Sequence, residues 1–308
     1  MKKIVAFGEI LWDMFQHKRT LGGAPFNFAY RVKSLGDEAL FISRVGEDQL
    51  GRDALTHMTK LGLDSSWVQQ DGNHPTGTVE ITLDDQGTPE YQIKKPVAFD
   101  FIHFHDSFVN ALHQAECLYF GTLIQRNEIS RNCLRQLLQL APTAVRLVDL
   151  NLRQDCYNNN TILYSLEQAN ILKLNEIEAQ WLCRWRGVSI TSLPRFCTFA
   201  LSDWRLDYVV VTLGEYGVFA QSQFGEEVYV PGYRVKMVDS VGAGDAFAAA
   251  FIHQLLRGES LRSACELGNA VGALVCATSG AAEFISPVSI QQMIKSQAER
   301  IYHSQFAR

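Results

Sequence analysis

No run of about 18 consecutive apolar residues occurs in the chain, which is what a membrane-spanning helix needs. The longest uncharged stretch, Leu267 to Ala282, is shorter and broken by glycine. The first apolar run, Ile4–Phe7, fails at Gly8-Glu9, too early for a signal peptide. A soluble cytoplasmic protein is therefore expected, without a membrane partner. An excess of positive charge is also missing. Lys+Arg total 28 against 33 Asp+Glu, for a formal net charge of −5, which argues against nucleic acid as a partner. Paired cysteine spacing is absent too. Cys117, Cys133, Cys156, Cys183, Cys197, Cys265 and Cys276 form no C-x-x-C, which excludes a zinc knuckle and a thioredoxin motif. Scattered in this way, they read as small buried hydrophobes in a reducing compartment. There is no Gly-Lys dipeptide, hence no Walker A loop, and no H-E-x-x-H or G-x-S-x-G motif. His103 and His105 share one face of an extended segment, but no third metal ligand is indicated. Internal repeats, low-complexity tracts and Pro/Ser linkers are lacking as well.

What is present is an ordinary globular composition, 47% hydrophobic and 20% charged over 308 residues. Residues 1–308 read as one domain. Short apolar runs at Ile4–Phe7, Leu40–Val45, Ala144–Leu150, Ala169–Leu174 and Tyr208–Thr212 have the length and content of buried strands. Between them, Phe26–Leu35, Ile129–Leu140 and Glu176–Cys183 have helical spacing. This alternation predicts an α/β fold, a mostly parallel central sheet flanked by helices on both faces. One region departs from it. Thr78–Leu83 alternates with period two, Asp84-Asp85-Gln86-Gly87 is turn chemistry, and Pro89–Ile93 follows. That predicts a hairpin, projecting as a small β element or, alternatively, added as an antiparallel edge to the main sheet.

Two segments carry candidate chemistry. In Asp239-Ser240-Val241-Gly242-Ala243-Gly244-Asp245, the glycines free the backbone for a tight turn, and a small-residue helix follows to Leu256. Successive N–H groups at a helix start can bind one anion. A carboxylate beside such a hole suits proton acceptance from a hydroxyl that attacks phosphorus. The near match to a dinucleotide fingerprint fails, because Phe247 stands where close packing needs a small residue. In Leu21-Gly22-Gly23-Ala24-Pro25-Phe26-Asn27, a double glycine precedes a helix, and Asn27 offers a donor and an acceptor suited to a sugar diol. Asp13, upstream, is a further hydroxyl acceptor.

Together these segments resemble the ribokinase-like (PfkB) carbohydrate kinases. Gly22-Gly23-x-x-x-Asn27-x-Ala29 is similar to that family's early pattern, and Asp239–Asp245 to its late signature. In between and in order, Gly46-Glu47-Asp48-Gln49-Leu50-Gly51 resembles its G-x-D-x-x-G element. Asn175-Glu176-Ile177-Glu178 resembles N-x-x-E, and Thr212-Leu213-Gly214-Glu215-Tyr216-Gly217 resembles T-x-G-x-x-G.

The resemblance implies a sugar kinase using ATP and Mg²⁺. It makes Asp245 the base and Gly242, Ala243 and Gly244 the anion hole. Asp13, Gly22, Gly23, Asn27 and Arg153 would hold the sugar. Asn175 and Glu178 would organise Mg²⁺ through water, while Thr212, Gly214, Gly217 and Asn269 would line the nucleotide. A monovalent cation, K⁺, would sit among Asp239, Val241, Val275, Thr278, Gly280 and Ser286. Residues 12–21 and 76–100 would form a lid, through which relatives often dimerise. Gly8-Glu9 with Gly22-Gly23-Ala24-Pro25 is closest to fructokinases, which makes D-fructose the expected acceptor, with ribose and 2-keto-3-deoxygluconate as alternatives. A non-catalytic sugar sensor and a dinucleotide-dependent oxidoreductase are the rival classes. Glu9 stands near the expected site without an assigned role.

Overall fold

The computed structural model describes residues 1–14, 19–83, 89–296 and 298–307. The strands of its two larger sheets are β1 Lys3–Phe7, β2 Leu11–Met14, β3 Arg19–Gly22, β4 Glu38–Gly46, β5 Val68–Asp71, β6 Gly77–Leu83, β7 Pro89–Ile93, β8 Cys117–Gly121, β9 Val145–Asp149, β10 Ile171–Asn175, β11 Tyr208–Thr212, β12 Val218–Ser222 and β13 Glu227–Val230. The helices are α1 Ala24–Ser34, α2 Gln49–Lys60, α3 Phe108–His113, α4 Glu128–Leu140, α5 Asn159–Gln168, α6 Glu176–Arg186, α7 Leu193–Trp204, α8 Ala243–Leu255, α9 Leu261–Cys276 and α10 Pro287–Lys295.

Nine strands make the main sheet in the order β13-β12-β11-β10-β9-β8-β1-β4-β5. From β5 across to β11 the pairs are parallel; β12 and β13 add an antiparallel edge. Side chains alternate across a strand, and here both faces are apolar. Val5, Phe7, Leu118, Phe120, Leu172 and Leu174 join a core closed by α3 to α7. Ile4, Ala6, Tyr119, Leu147 and Ile171 face the other way, onto α1, α2, α8 and α9. Near-continuous apolar runs are what two-sided burial demands.

The hairpin belongs to a separate four-stranded sheet, β3-β2-β6-β7, rather than to the edge of the main one. β6 pairs antiparallel with β7 from Val79↔Ile93 to Leu83↔Pro89. The turn Asp84–Gly87 lies outside the described residues. The G-x-D-x-x-G element anchors this sheet. Asp48 caps α2 through the Gly51 amide at 2.7 Å and accepts both the amide and the hydroxyl of Thr76, at 2.8 and 2.7 Å. Thr76 immediately precedes β6. Burial works against the Asp48 charge, yet these donors hold its carboxyl below its ordinary range.

Candidate active site

The parallel strands β1, β9, β10 and β11 all end at one edge of the sheet, where crevices form in open α/β folds. The first turn of α8 meets that edge. Gly242, the residue before the helix, has φ 78°, a left-handed conformation that glycine adopts without penalty. A side chain there would also collide with Ala281. The Ala243 amide makes a long turn bond to the Ser240 carbonyl, 3.3 Å. The amides of Gly244 and Asp245 have no acceptor among the described residues, as expected for the open start of a helix.

Asp245 lies in that first turn, partly buried. The Asn27 side-chain amide donates to its Oδ2 at 2.8 Å, a contact that joins α1 to α8 across 218 residues of sequence. Burial, reinforced by the Asp149 carboxylate, lifts the Asp245 carboxyl to about 6; Lys173, Asn27 and Arg153 restrain it. A carboxyl in that range accepts a proton near neutral pH and can release it again.

The start of α1 brings further groups. A side chain at Gly23 would stand 2.5 Å from the Glu9 carbonyl. The close approach that this glycine permits is to the chain after β1. Gly22 leaves room for the Asp13 carboxylate, 3.0 Å from where its Cβ would be. Burial raises Asp13 to about 6, against the pull of Arg153. Glu9 is 3% exposed. Burial pushes it to about 7, opposed by backbone donors at Glu9 itself and Ala24 and by Arg153. Its Oε2, and the Oδ1 of Asn27, are buried acceptors with no partner among the described residues. An unmet buried acceptor costs about 1–3 kcal/mol, so both are available to hydroxyl donors. Arg153 is exposed and acts electrostatically on Glu9, Asp13 and Asp245 alike.

Asn175 and Glu178 form a capping box at the start of α6. The Asn175 side chain accepts the Glu178 amide at 2.9 Å, and Glu178 Oε2 accepts the Asn175 amide at 2.8 Å. The other Glu178 oxygen accepts the Leu152 amide at 2.8 Å. This structural use of N-x-x-E follows from its spacing and went unread in the sequence. A carboxylate offers about four acceptor sites, so Glu178 retains capacity for a water ligand of a metal. These residues fit Mg²⁺ held through its own waters.

Thr212 ends β11 beside β10. Gly214 has φ 59° with open space where a side chain would stand, whereas a side chain at Gly217 would strike the Val230 carbonyl. Asn269 uses its side-chain amide on the carbonyls of Val230 and Pro231, at 3.4 and 2.9 Å, tying α9 to the end of β13. Around the expected cation position, Asp239 accepts the Val241 amide at 3.0 Å. The Val275 carbonyl accepts both the amide and the hydroxyl of Thr278, at 3.0 and 2.9 Å. Gly280 has φ 99°, and Ser286 caps α10. The fully buried Arg31 donates to the carbonyls of Ala281 and Glu283 at 3.2 and 3.0 Å, securing that loop. Among the described residues no group of three or more His, Cys, Asp or Glu could hold a metal directly; His105 pairs with Ser107.

Sequence reading missed one cluster. Tyr119, Asp149 and Lys173 converge on one face of β8, β9 and β10, with Lys173 directly opposite Asp149 and Tyr119 reaching it diagonally from beside Leu147. Lys173 donates to Asp149 Oδ2 at 2.8 Å, and the Tyr119 hydroxyl donates to the same oxygen at 3.2 Å. The available signal was Lys173 itself, a charge inside the apolar strand Ile171-Leu172-Lys173-Leu174.

Known proteins resemble the chain over most of its length. The pfkB family carbohydrate kinase profile matches residues 2–288. The fructokinase of Escherichia coli is 31% identical over 281 residues, covering 84% of this chain and 87% of the relative. Among solved structures, fructokinase from Xylella fastidiosa with bound ATP superposes with a TM-score of 0.85 at 22% identity, over 97% of this chain and 100% of that one. Fructokinase from Vibrio cholerae O395 in a fructose-, ADP- and calcium-bound form gives 0.81 at 24% identity, over 96% and 99%.

Proposed function

The chain belongs to the pfkB family of carbohydrate kinases and is an ATP-dependent sugar kinase; from that premise we propose that it phosphorylates a primary hydroxyl of D-fructose, giving fructose 6-phosphate. The observation that carries this reading is the Asp245 carboxyl, fixed by Asn27 at 2.8 Å beside the free amides that open α8. Asn27 engages Oδ2, which leaves Oδ1 for the attacking hydroxyl. Asp245 takes the proton as the sugar oxygen attacks the terminal phosphorus of ATP. The backbone at Gly242, Ala243 and Gly244 holds the oxygens of the transferring group, whose charge is spread outward in a loose transition state. Gly22, Gly23 and Asn27 border the sugar, with Asp13 and Arg153 completing its polar surroundings. Mg²⁺, when bound, offsets phosphate charge; Asn175 and Glu178 orient its waters. The nucleotide lies along Thr212, Gly214 and Gly217, with Asn269 on the base side. K⁺ is assigned to Asp239, Val241, Val275, Thr278, Gly280 and Ser286.

The chain is read as one domain over 1–308, with residues 12–21 and 76–100 as a lid that closes over the sugar and excludes water. The lid is also the proposed homodimer contact, and the protein is assigned to the cytoplasm. Fructose as acceptor follows the fructokinase relatives. It is tested by following ADP release from Mg-ATP across fructose, ribose and 2-keto-3-deoxygluconate, with the product located by ³¹P NMR. Turnover on fructose with a 6-phosphate product is expected. Turnover on another sugar with none on fructose would replace the acceptor and keep the mechanism. ATP binding without turnover on any sugar would favour a sensor.

A further inference from the structure

Lys173 occupies a position that stability alone does not explain. It lies on the same face of β10 as Ile171, opposite Leu172 and Leu174, and so points toward α8. It is 8% exposed. Its nitrogen stands 3.0 Å from where a side chain on Gly244 would begin. An ammonium is thus buried against the N-terminal turn of a helix, where the helix dipole is itself positive and repels cations. Buried ion pairs are weak sources of stability, so Asp149 alone does not account for this arrangement.

The surroundings specify what does. An ammonium has three N–H groups. Asp149 accepts one at 2.8 Å, and no other acceptor lies within hydrogen-bond distance among the described residues. Asp149 is directly opposite Lys173 in the parallel register of β9 and β10, and Tyr119 steadies the same Asp149 oxygen. Burial opposes the charge on Lys173. The carboxylates of Asp149, Asp245 and Glu178 more than offset that, so the group stays protonated. A cation with unused donors and a helix start with unused amides therefore converge beside Asp245. That combination is complementary to an anion placed between them.

We propose that Lys173 is a further catalytic residue, whose ammonium contacts the phosphoryl group during its transfer, and that Asp149 and Tyr119 are positioning residues that aim it. The proposal rests on the kinase reading above. In the step, the bond from the terminal phosphorus to the ADP oxygen breaks as the bond to the sugar oxygen forms. The sugar proton goes to Asp245, and Lys173 keeps its own.

The test uses the full chain with Lys173→Met, Lys173→Gln, Asp149→Asn and the double variant Lys173→Met/Asp149→Asn. Loss of one preorganised donor to the transition state should lower kcat about 10²–10³-fold in Lys173→Met, with sugar KM within about threefold. Calorimetry should show ATP affinity falling about tenfold while ADP affinity holds, because ADP lacks the transferred group. Asp149→Asn should lower kcat about tenfold, and the double variant should match Lys173→Met, since both act through one ammonium. Lys173→Gln keeps a donor to Asp149 and gives the same ATP-against-ADP contrast if the Met variant fails to fold. A kcat within about threefold of wild type, equal loss of ATP and ADP affinity, or additive losses in the double variant would each overturn the proposal. Absence of sugar turnover in the wild type would count against the kinase reading instead, and the nucleotide contrast would still decide Lys173.

Discussion

Glu9 is a buried carboxyl of the site whose titration burial moves upward. Its carboxyl rises from 4.5 to about 7, so the folded protein binds a proton there that the unfolded chain has released. Between those values stability falls as pH rises, because the folded state holds more protons. Replacing the ionisable group removes that penalty. Glu9→Gln should therefore be relatively more stable at pH 8 than at pH 5, by on the order of 2–3 kcal/mol measured against wild type in urea. An unchanged difference at the two pH values would show that Glu9 titrates normally. At this scale the sequence displayed the reacting groups but not their partners. Asp245 stands out from Gly242-Ala243-Gly244-Asp245, yet its contact with Asn27 spans 218 residues and exists only after α1 packs against α8. Lys173 and Tyr119 carried no motif at all, because what matters about them is adjacency across strands.

The elements translate spacing into position. Asn175→Ala removes the side-chain acceptor at the start of α6 and should cost about 0.5–2 kcal/mol of stability, read as a lowered Tm. It should also raise the Mg²⁺ concentration needed for half-maximal rate; a lowered Tm with unchanged Mg²⁺ dependence would leave Asn175 as a cap alone. Gly242→Ala forces a side chain into φ 78° against Ala281. It should cost at least about 1–2 kcal/mol and lower kcat as the α8 start is displaced; a fully active, equally stable variant would contradict that geometry. The five buried parallel strands and the hairpin were legible, their ends shifted by a residue or two. Tyr208–Thr212 matched β11 at both ends. The antiparallel β12 and β13 were not anticipated. Neither was the short β2–β3 pair, whose four-residue strands offer little periodicity to read.

For the molecule as a whole, two apolar faces of one large sheet bring four distant segments to a common edge, and a second sheet stands beside them. The alternation of short apolar runs with helical spacing made the overall α/β fold legible, whereas the placement of the second sheet off the main one depends on contacts such as Asp48 with Thr76. If that second sheet is the dimer contact, sedimentation should give a species of twice 34.6 kDa, and a monomer at working concentration would remove that assignment. The most direct measurement compares wild type with Asp245→Asn for ADP release from Mg-ATP and fructose across pH. The wild-type rate should fall as pH drops through the range of about 6 in which Asp245, the proposed base, takes up its proton. Asp245→Asn should lose about 10²–10⁴-fold in kcat while still binding ATP and sugar. A variant that turns over within about threefold of wild type would remove Asp245 from the base role and with it the central claim.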